Sequence, residues 1–281
     1  MDLYIVANKE EISRLAYQVM LSKINESDNV TLGLATGSSP EGIYELFRAN
    51  QPDVSHVTTV NLDEYIGIDE SNDQSYAYFM NEHLFKHLDF KKNYLPNGMN
   101  SDPDAACREF EDIIAKNPID LQLLGIGTNG HIAFNEPGSS FDSTTRVVEL
   151  AKDTIVANSR FFDKMEDVPK TAITMGIKTI MSAGEILLIA SGENKADAIK
   201  TMLEQDMNEQ MPASVLQSHP NVIIIIDEAA ASKIDPALLT QGGGCCDGGC
   251  CGGGGHHHDT EGCCGGGGHH HHDNEGCCGG H

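Results

Sequence analysis

Short apolar segments alternate with helical patterns from residue 1 to residue 240, and this alternation constrains the fold more than any other feature of the sequence. The apolar segments expected to form strands are 3–6, 30–35, 57–62, 119–125, 144–150, 185–190 and 221–226. Helical patterns occupy 10–24, 41–49, 76–88, 105–115, about 153 onward, 170–182 and 195–204. Such alternation predicts an α/β fold with a mostly parallel, Rossmann-like sheet and helices on both faces. Right-handed crossovers would place the carboxyl ends of the strands, and a ligand site, along one edge.

The composition changes abruptly at Gln241. From there to His281 the chain is an approximate repeat of Gly, Cys, His and acidic residues, with no Leu, Ile, Val or Phe. Such a segment cannot bury enough apolar surface to offset the entropy lost on ordering. We therefore expect one folded domain over 1–240 and a disordered, low-complexity tail over 241–281.

Cysteines are distributed very unevenly between these two parts. Cys107 is the only cysteine before residue 245, and the other eight lie in adjacent pairs in the tail. A folded part with one cysteine indicates a reducing, intracellular environment. Since Cys107 falls in a helical pattern, we expect it to be a small buried hydrophobic residue rather than a nucleophile.

The charge and the apolar runs exclude several classes of protein. A formal net charge of −24 argues against a nucleic-acid partner, because binding to a phosphate backbone depends on clustered Lys and Arg. No run approaches the roughly 18 apolar residues of a membrane helix, and the N-terminus lacks the pattern of a signal peptide. These features predict a cytoplasmic protein without a membrane partner.

A loop of small polar residues follows the strand expected at 30–35. It reads Thr36-Gly37-Ser38-Ser39-Pro40, and a helix is expected to begin directly after it. Small residues let backbone amides approach an anion, hydroxyl groups donate hydrogen bonds, and a helix N-terminus adds positive potential. The loop matches neither glycine-rich nucleotide motif, so it indicates a phosphate site without a nucleotide. A plain helix cap at Ser39 would explain the same residues.

Two adjacent carboxylates follow the strand expected at 57–62, in Asn61-Leu62-Asp63-Glu64-Tyr65. The carboxyl end of a parallel strand is where α/β enzymes place catalytic groups, and burial there can tune one carboxylate as a general base. Two solvated acids after a strand would give the same pattern. Spacing alone favours that simpler interpretation.

A glycine-rich loop follows the strand expected at 119–125. It reads Gly125-Ile126-Gly127-Thr128-Asn129-Gly130-His131-Ile132-Ala133-Phe134-Asn135-Glu136-Pro137-Gly138. An isolated histidine is usually structural. However, a histidine in such a loop past the end of a strand, with polar neighbours, suits proton transfer.

Four segments together resemble the signatures of the glucosamine-6-phosphate deaminase family. They are L-G-L-A-T-G-S-S-P, N-L-D-E-Y, G-I-G-T-N-G-H-I-A-F-N-E-P and A-N-S-R-F-F, in the order and at the spacing expected of that family. The similarity extends from residue 1 to about 235. It implies that 1–240 is a catalytic domain of amino-sugar catabolism, which converts glucosamine 6-phosphate and water into fructose 6-phosphate and ammonia.

The resemblance implies roles for four side chains in catalysis. Asp63 corresponds to the base that moves a proton between C2 and C1 of the opened sugar. His131 corresponds to the residue that assists ring opening, and Glu136 supports it. Asn129 stands where some relatives have aspartate, so it can orient His131 but cannot take a proton.

The same resemblance implies a site for the substrate phosphate. It is formed by Thr36, Gly37, Ser38, Ser39, Arg160 and Lys195. An acidic chain needs such local cations to bind an anion. An Arg that donates two parallel hydrogen bonds and a Lys with a compact positive charge are a suitable pair. Either cation considered alone would be interpreted as a solvated surface charge.

The implied reaction requires one carboxylate and one imidazole, and we expect no cofactor and no metal in the catalytic domain. The expected partner is a small sugar phosphate. The sequence leaves the choice between monomer and homo-oligomer open.

Two alternatives remain at the level of sequence. The 6-phosphogluconolactonases are similar in fold and in two loops, but they typically have Arg after the Asp-Glu pair and lack F-N-E-P, so Tyr65 and 134–137 favour the deaminase. The tail offers a second alternative, a metal-binding protein, because paired Cys and His suit Zn, Ni or Cu. A tag, a read-through product or a low-complexity extension explains the tail equally well.

The resemblance also bears on regulation. Some members of the family are activated by N-acetylglucosamine 6-phosphate between subunits, where a stretch like R-I-K-T contacts the effector's phosphate. The aligned stretch here is Arg146-Val147-Val148-Glu149. It replaces a cation and a hydroxyl donor with an apolar residue and an anion, so we expect no such activation.

Overall fold

The computed structural model of this protein describes residues 1–150 and 168–239. The helix expected from about Asp153, the position of Arg160 and the tail from Gln241 therefore lie outside the described residues. Within the described part, the α/β fold with a mostly parallel sheet is confirmed.

Ten strands of the described residues form two sheets. They are β1 (Asp2–Val6), β2 (Val30–Leu34), β3 (Val57–Asn61), β4 (Asp63–Tyr65), β5 (Lys92–Tyr94), β6 (Leu121–Gly125), β7 (Arg146–Glu149), β8 (Thr171–Thr174), β9 (Glu185–Ala190) and β10 (Val222–Asp227). Seven of them form a parallel sheet in the order β1-β10-β9-β6-β2-β3-β5. The other three form a small antiparallel sheet in the order β4-β8-β7.

The described helices lie between these strands. They are α1 (Lys9–Ile24), α2 (Glu41–Asn50), α3 (Tyr76–His83), α4 (Pro103–Lys116), α5 (Ile177–Ile180), α6 (Ala196–Glu204), α7 (Glu228–Ala231) and α8 (Pro236–Leu239), with 3-10 turns at Phe85–His87, Glu193–Lys195 and Pro212–Ser218. Side-chain oxygens of Asn8, Ser75 and Asp102 accept a backbone N–H three residues on and begin α1, α3 and α4.

Apolar side chains cover both faces of the parallel sheet. On one face Tyr44 and Phe47 of α2 belong to a buried cluster with residues of α1, α3 and β2. On the other face Phe110 of α4 belongs to a cluster with residues of α5 and α6. Strands buried on both faces must be apolar at nearly every position, which explains the continuous apolar runs in the sequence. Cys107 is buried at 5% exposure beside Ile173, as expected of a small hydrophobic residue.

The strand order creates a crevice between β2 and β6. From β2 the sheet continues through β3 toward one edge, and from β6 it continues through β9 toward the opposite edge. In an open α/β sheet, ligands bind at such a reversal, beyond the carboxyl ends of the strands. The loops that leave this point are 35–40 and 126–131, which contain two of the motifs noted in the sequence.

The structure corrects several predicted elements. The helix expected over 170–182 is wrong in its first half, because Thr171–Thr174 is strand β8 and the helix is confined to Ile177–Ile180. Gly176 separates them where a side chain would clash with the backbone of Ser143 and Thr144. The strand expected at 144–150 exists as β7, but it pairs antiparallel with β8 outside the main sheet. The helix expected over 76–88 ends at His83.

Two short strands, β4 and β5, were not expected from the sequence. Across residues 1–150 and 168–239, no helix has both the length and the apolar character needed to cross a membrane.

Candidate active site

A cavity of about 340 Å³ lies at the crevice between β2 and β6. Seven of the predicted site residues line it, namely Thr36, Gly37, Ser38, Ser39, Asp63, His131 and Lys195. Asn129 and Glu136 are joined to His131 by the contacts described below. Arg160 lies outside the described residues, so its predicted place in the site stays a prediction.

The small polar loop after β2 forms one wall of the cavity. Gly37 has a φ of +86°, a conformation that glycine adopts at little cost. The N-cap position of α2 is Pro40, and no side-chain hydrogen bond caps this helix. Ser39 therefore does not serve as a helix cap, and the loop is left facing the cavity.

Lys195 places a cation on the other wall. It ends the 3-10 turn before α6, and its Nζ donates a hydrogen bond to the backbone oxygen of Ile126 at 2.7 Å. Burial lowers the pKa of Lys195 from its usual value. A partly desolvated ammonium opposite a hydroxyl-rich loop forms a site suited to a phosphate group.

Asp63 lines the cavity and is the first residue of β4. Its exposure is only 7%, and the backbone before it is fixed because the N–H of Met175 donates to the oxygen of Leu62 at 2.7 Å. Burial raises the pKa of Asp63 to about 8, and the neighbouring charge of Glu64 acts in the same direction. A buried carboxyl group with such a pKa can accept a proton near neutral pH.

Glu64 is also buried, but its carboxylate serves a different purpose. It accepts hydrogen bonds from the backbone N–H groups of Tyr65, Tyr76 and Ala77 at 2.8, 3.0 and 2.8 Å. Tyr76 and Ala77 open helix α3, so Glu64 ties the start of that helix to β4. The interpretation of Asp63 and Glu64 as a solvated pair is wrong, since their exposures are 7% and 4%.

Tyr76 completes the wall beside Asp63 and was not identified from the sequence. Its hydroxyl donates to the hydroxyl of Tyr65 at 3.1 Å, and Tyr76 lines the cavity together with Thr36 of the phosphate loop. Its ring stacks on Phe134 with the centroids 6.1 Å apart. Tyr76 is simply the first residue of a helix in the sequence, and nothing local indicates that it reaches the phosphate loop.

His131 is held by a chain of polar contacts. Its Nδ1 lies 2.7 Å from the Oδ1 of Asn129, whose Nδ2 donates to Glu136 at 2.7 Å. Nδ1 also lies 3.5 Å from a Glu136 oxygen. Because Asn129 offers an oxygen to Nδ1, this nitrogen carries the proton and Nε2 is the free base. These contacts let Asn129 hold the imidazole ring in place, and its role in catalysis stays a prediction.

The surroundings of His131 favour its neutral form. Burial lowers the pKa of His131, Glu136 acts in the opposite direction, and the charge of Lys195 lowers it further. A neutral imidazole can take a proton from a hydroxyl group at ordinary pH.

Unusual backbone geometry lets the loop carry His131 into the cavity. Gly127 lies against the imidazole ring, where any side chain would clash with it, and Gly130 has a φ of +84°. Ala133, which also lines the cavity, has a φ of +51°, which is uncommon for a residue with a side chain. Strain of this kind is often found at functional sites.

No set of three or more His, Cys, Asp or Glu side chains that could hold a metal ion occurs within residues 1–150 and 168–239. The Cys and His pairs of the tail lie outside this part. The comparisons below also give no support to a metal-binding role.

Comparison with known proteins identifies the family. The sequence pattern of a family described as glucosamine-6-phosphate isomerases and 6-phosphogluconolactonase matches residues 7–224. A glucosamine-6-phosphate deaminase of Bacillus cereus (strain B4264) is 52% identical over 225 residues, which cover 80% of this chain and 86% of the relative. One of Bacillus anthracis (strain CDC 684 / NRRL 3495) is 53% identical with the same coverage.

Solved structures give a consistent result. A structure described as a monomeric glucosamine-6-phosphate deaminase is 43% identical, with a TM-score of 0.79, and covers 83% of this chain and 100% of its own. A 6-phosphogluconolactonase of Shewanella baltica has a TM-score of 0.67 at 18% identity, covering 81% of this chain and 97% of its own. At that identity the second likeness concerns the fold alone.

Proposed function

Because the chain belongs to the family of glucosamine-6-phosphate isomerases and 6-phosphogluconolactonases, we propose that it is an enzyme of amino-sugar metabolism, a glucosamine-6-phosphate deaminase. It converts glucosamine 6-phosphate and water into fructose 6-phosphate and ammonia. One observation carries the proposal: a buried carboxyl group with a pKa of about 8, Asp63, shares a cavity with the neutral base His131 and the cation Lys195. These are the groups that an aldose–ketose isomerisation of a phosphorylated sugar needs.

The phosphate is assigned to the part of the cavity between the loop 36–39 and Lys195. Backbone and hydroxyl groups of 36–39 donate hydrogen bonds to it, and Lys195 supplies positive charge. We include Arg160 in this site on the basis of the family signature in which it occurs. Anchoring the phosphate fixes the other end of the sugar against Asp63 and His131, which lowers the entropic part of the barrier.

Ring opening is assigned to His131. Its Nε2 removes the proton from the hydroxyl group at C1, the bond between C1 and the ring oxygen breaks, and the ring oxygen gains a proton. Asn129 holds the imidazole with the proton on Nδ1, and Glu136 stabilises the imidazolium that forms. The product is an open-chain aldehyde.

Isomerisation is assigned to Asp63. Its carboxylate takes the proton from C2 and returns it to C1, while the C1 oxygen gains a proton and the amino nitrogen loses one, which leaves a hydroxyl group at C1 and an imine at C2. Water adds to this imine and ammonia leaves, so the carbonyl group of fructose 6-phosphate forms at C2. An ionised Asp63 in a desolvated pocket is a stronger base than a carboxylate in water.

A lactonase function is the alternative within the same family. The structures named as lactonases are 17% or 18% identical, whereas the deaminases reach 52–53% over most of the chain. The deaminase is therefore the better supported of the two.

A coupled assay tests the proposal. With glucosamine 6-phosphate as substrate, fructose 6-phosphate and ammonia should appear in equal amounts and at equal rates. The same preparation should leave 6-phosphogluconolactone at its spontaneous rate of hydrolysis. Accelerated lactone hydrolysis without release of ammonia would show that the chain is a lactonase instead.

We further propose that the enzyme is a monomer, by extension from the relative that is described as monomeric. Light scattering coupled to gel filtration should give the mass of one chain, 30.3 kDa. A mass of two or more chains at micromolar concentration would contradict this.

A further inference from the structure

Three residues form one row across the small antiparallel sheet. The register pairs Asp63 of β4 with Thr174 of β8, and it pairs Thr174 with Arg146 of β7. Residues directly opposite each other in antiparallel strands point to the same face of a sheet. The side chains of Asp63, Thr174 and Arg146 therefore share one face.

The other two members of this row, Thr174 and Arg146, contact the loop that follows His131. The hydroxyl oxygen of Thr174 accepts a hydrogen bond from the N–H of Phe134 at 3.1 Å. The guanidinium of Arg146 donates to the Oδ1 of Asn135 at 2.8 Å and to the hydroxyl group of Ser139 at 3.2 Å. The loop with Glu136 thus rests on the same face that presents Asp63.

Asn135 links this loop to the segment that carries the base. It is fully buried, and its Nδ2 donates to the backbone oxygens of Ile132 and Met175 at 3.0 and 2.9 Å. Met175 in turn donates its N–H to the oxygen of Leu62, the residue before Asp63. The backbone before Asp63 and the loop after His131 are therefore both hydrogen-bonded to Met175, the residue that follows β8.

Arg146 is an unusual partner for such a loop. It is half-buried, and burial lowers its pKa. Within the described part of the chain, the hydrogen bonds of its guanidinium go to a neutral amide and a hydroxyl group. Partial desolvation of a guanidinium costs free energy, and hydrogen bonds to neutral groups are weaker than those to a carboxylate, so these contacts point to placement of the loop rather than to overall stability.

We propose that Arg146 is a positioning residue for the reaction: through Asn135 it sets the placement of Glu136 and His131 relative to Asp63. This inference rests on the proposed function. The planar guanidinium of Arg146 donates to both Asn135 and Ser139. Two such hydrogen bonds fix the loop in two directions, which a single hydrogen bond cannot do. The phosphate loop and Lys195 are not touched by these contacts, so binding of the phosphate should depend little on Arg146.

Arg146→Met tests the proposal, since methionine keeps much of the length of the side chain and removes all of its donors. We expect kcat to fall about tenfold to a hundredfold, the scale of a small misplacement of catalytic groups, with KM within about threefold of wild type. Arg108→Met is the matched control, because Arg108 is exposed on α4, and it should leave both constants unchanged.

A second measurement reports on geometry rather than on rate. Glu136 raises the pKa of His131, so a loop that moves Glu136 away should lower that pKa further. NMR titration of the His131 ring, assigned by comparison with His131→Gln, should show a lower pKa in Arg146→Met than in wild type. A folded Arg146→Met with wild-type kcat and an unchanged His131 pKa would overturn the proposal, as would a variant in which only KM rises.

Arg146→Lys covers the case in which the methionine variant does not fold. An ammonium group keeps the charge but cannot span both acceptors, so kcat should fall by a smaller factor at constant KM. A rise in KM at constant kcat would contradict the proposal. If the wild-type enzyme releases no ammonia from glucosamine 6-phosphate, the proposed function fails, whereas the titration of His131 needs no substrate and still tests Arg146.

Discussion

Asp63 and Glu64 are neighbours in the chain, but their carboxyl groups face different surroundings. Asp63 points into the cavity, and none of the described residues donates a hydrogen bond to it, whereas Glu64 accepts three backbone N–H groups. Hydrogen bonds favour the ionised form and burial without them disfavours it. The proton-accepting role therefore belongs to Asp63 and the structural role to Glu64.

The sequence could predict Asp63, because a motif at the end of a strand and the family resemblance coincide there. It could not predict the separate role of Glu64. The donors of its hydrogen bonds belong to α3, and their approach depends on how that helix packs rather than on spacing in the chain. Tyr76 was missed for the same reason.

Replacing Asp63 by asparagine keeps the shape of the side chain and removes the base. We expect turnover to fall at least about a hundredfold, the usual scale for loss of a general base, while binding of substrate is retained. In the wild type, kcat/KM should rise with pH up to about 8 as Asp63 ionises. Steady-state rates between pH 6 and 9 check both statements, and turnover of Asp63→Asn within a few-fold of wild type would refute the assignment.

Asp63→Asn should lower turnover, but at high pH it should raise the free energy of unfolding. The pKa of Asp63 is raised from 3.8 to about 8 in the folded protein, so the folded state binds this proton more tightly than the unfolded state. The stabilisation is complete below about pH 4 and is lost as the pH rises through about 8. Asparagine does not ionise, so Asp63→Asn should exceed wild type in free energy of unfolding at pH 9. Urea denaturation of both proteins at pH 5 and pH 9 measures this. If the difference in stability between Asp63→Asn and wild type is the same at both pH values, the pKa of Asp63 is not raised in the folded protein.

At the scale of elements, α3 depends on a distant carboxylate for its start. Glu64 satisfies the N–H groups of Tyr76 and Ala77, the first two residues of the helix. In Glu64→Gln an NH2 group replaces one of the two carboxylate oxygens, so a donor faces a backbone N–H group that has lost its acceptor. We expect a loss of about 1–3 kcal/mol in the free energy of unfolding, the cost of leaving a buried donor without a partner.

Urea denaturation at pH 7 tests this expectation for α3. Glu70→Gln is the matched control, because Glu70 is exposed and lies in the loop before the same helix. Equal stability of the two variants would mean that Glu64 does not hold the helix. We also expect a lower kcat in Glu64→Gln, since α3 carries Tyr76 into the wall of the active site.

The elements that the sequence predicted well are those whose patterns are local. The parallel strands are continuous apolar runs and α1, α2 and α4 have clear helical periods, so their bounds agree within a few residues. The residues of β8 lie within the predicted helix 170–182, and Ile173, Ile177 and Ile180 do fit a helical period. The strand form of β8 depends on pairing with β4 and β7, which are distant in sequence and therefore invisible to a local pattern.

At the scale of the whole molecule, we expect the tail to be dispensable for catalysis. It has no residue type that builds a core, the family pattern ends at residue 224, and the cavity is lined by residues between 35 and 195. A chain truncated after Thr240 should keep its kcat and its melting temperature in the presence of a chelator. A loss of either would show that the tail contributes to the folded domain.

The last expectation concerns regulation of the whole enzyme. Effector binding in some relatives depends on two cations and a hydroxyl group in a stretch where this chain has Arg146-Val147-Val148-Glu149. Here the guanidinium of Arg146 is already directed at Asn135 and Ser139, and Glu149 is exposed at the end of β7.

A missing cation and an added anion should each oppose the binding of a phosphate dianion, with a combined cost on the order of 2–5 kcal/mol. An effector shifts a protein only through its different affinities for two states, so an effector that does not bind cannot shift it. We therefore expect hyperbolic kinetics in glucosamine 6-phosphate, unchanged by N-acetylglucosamine 6-phosphate at millimolar concentration. Initial rates over a wide range of substrate concentration, with and without the N-acetylated compound, measure this directly. A sigmoidal curve that becomes hyperbolic on addition of the compound would show that the enzyme retains an effector site.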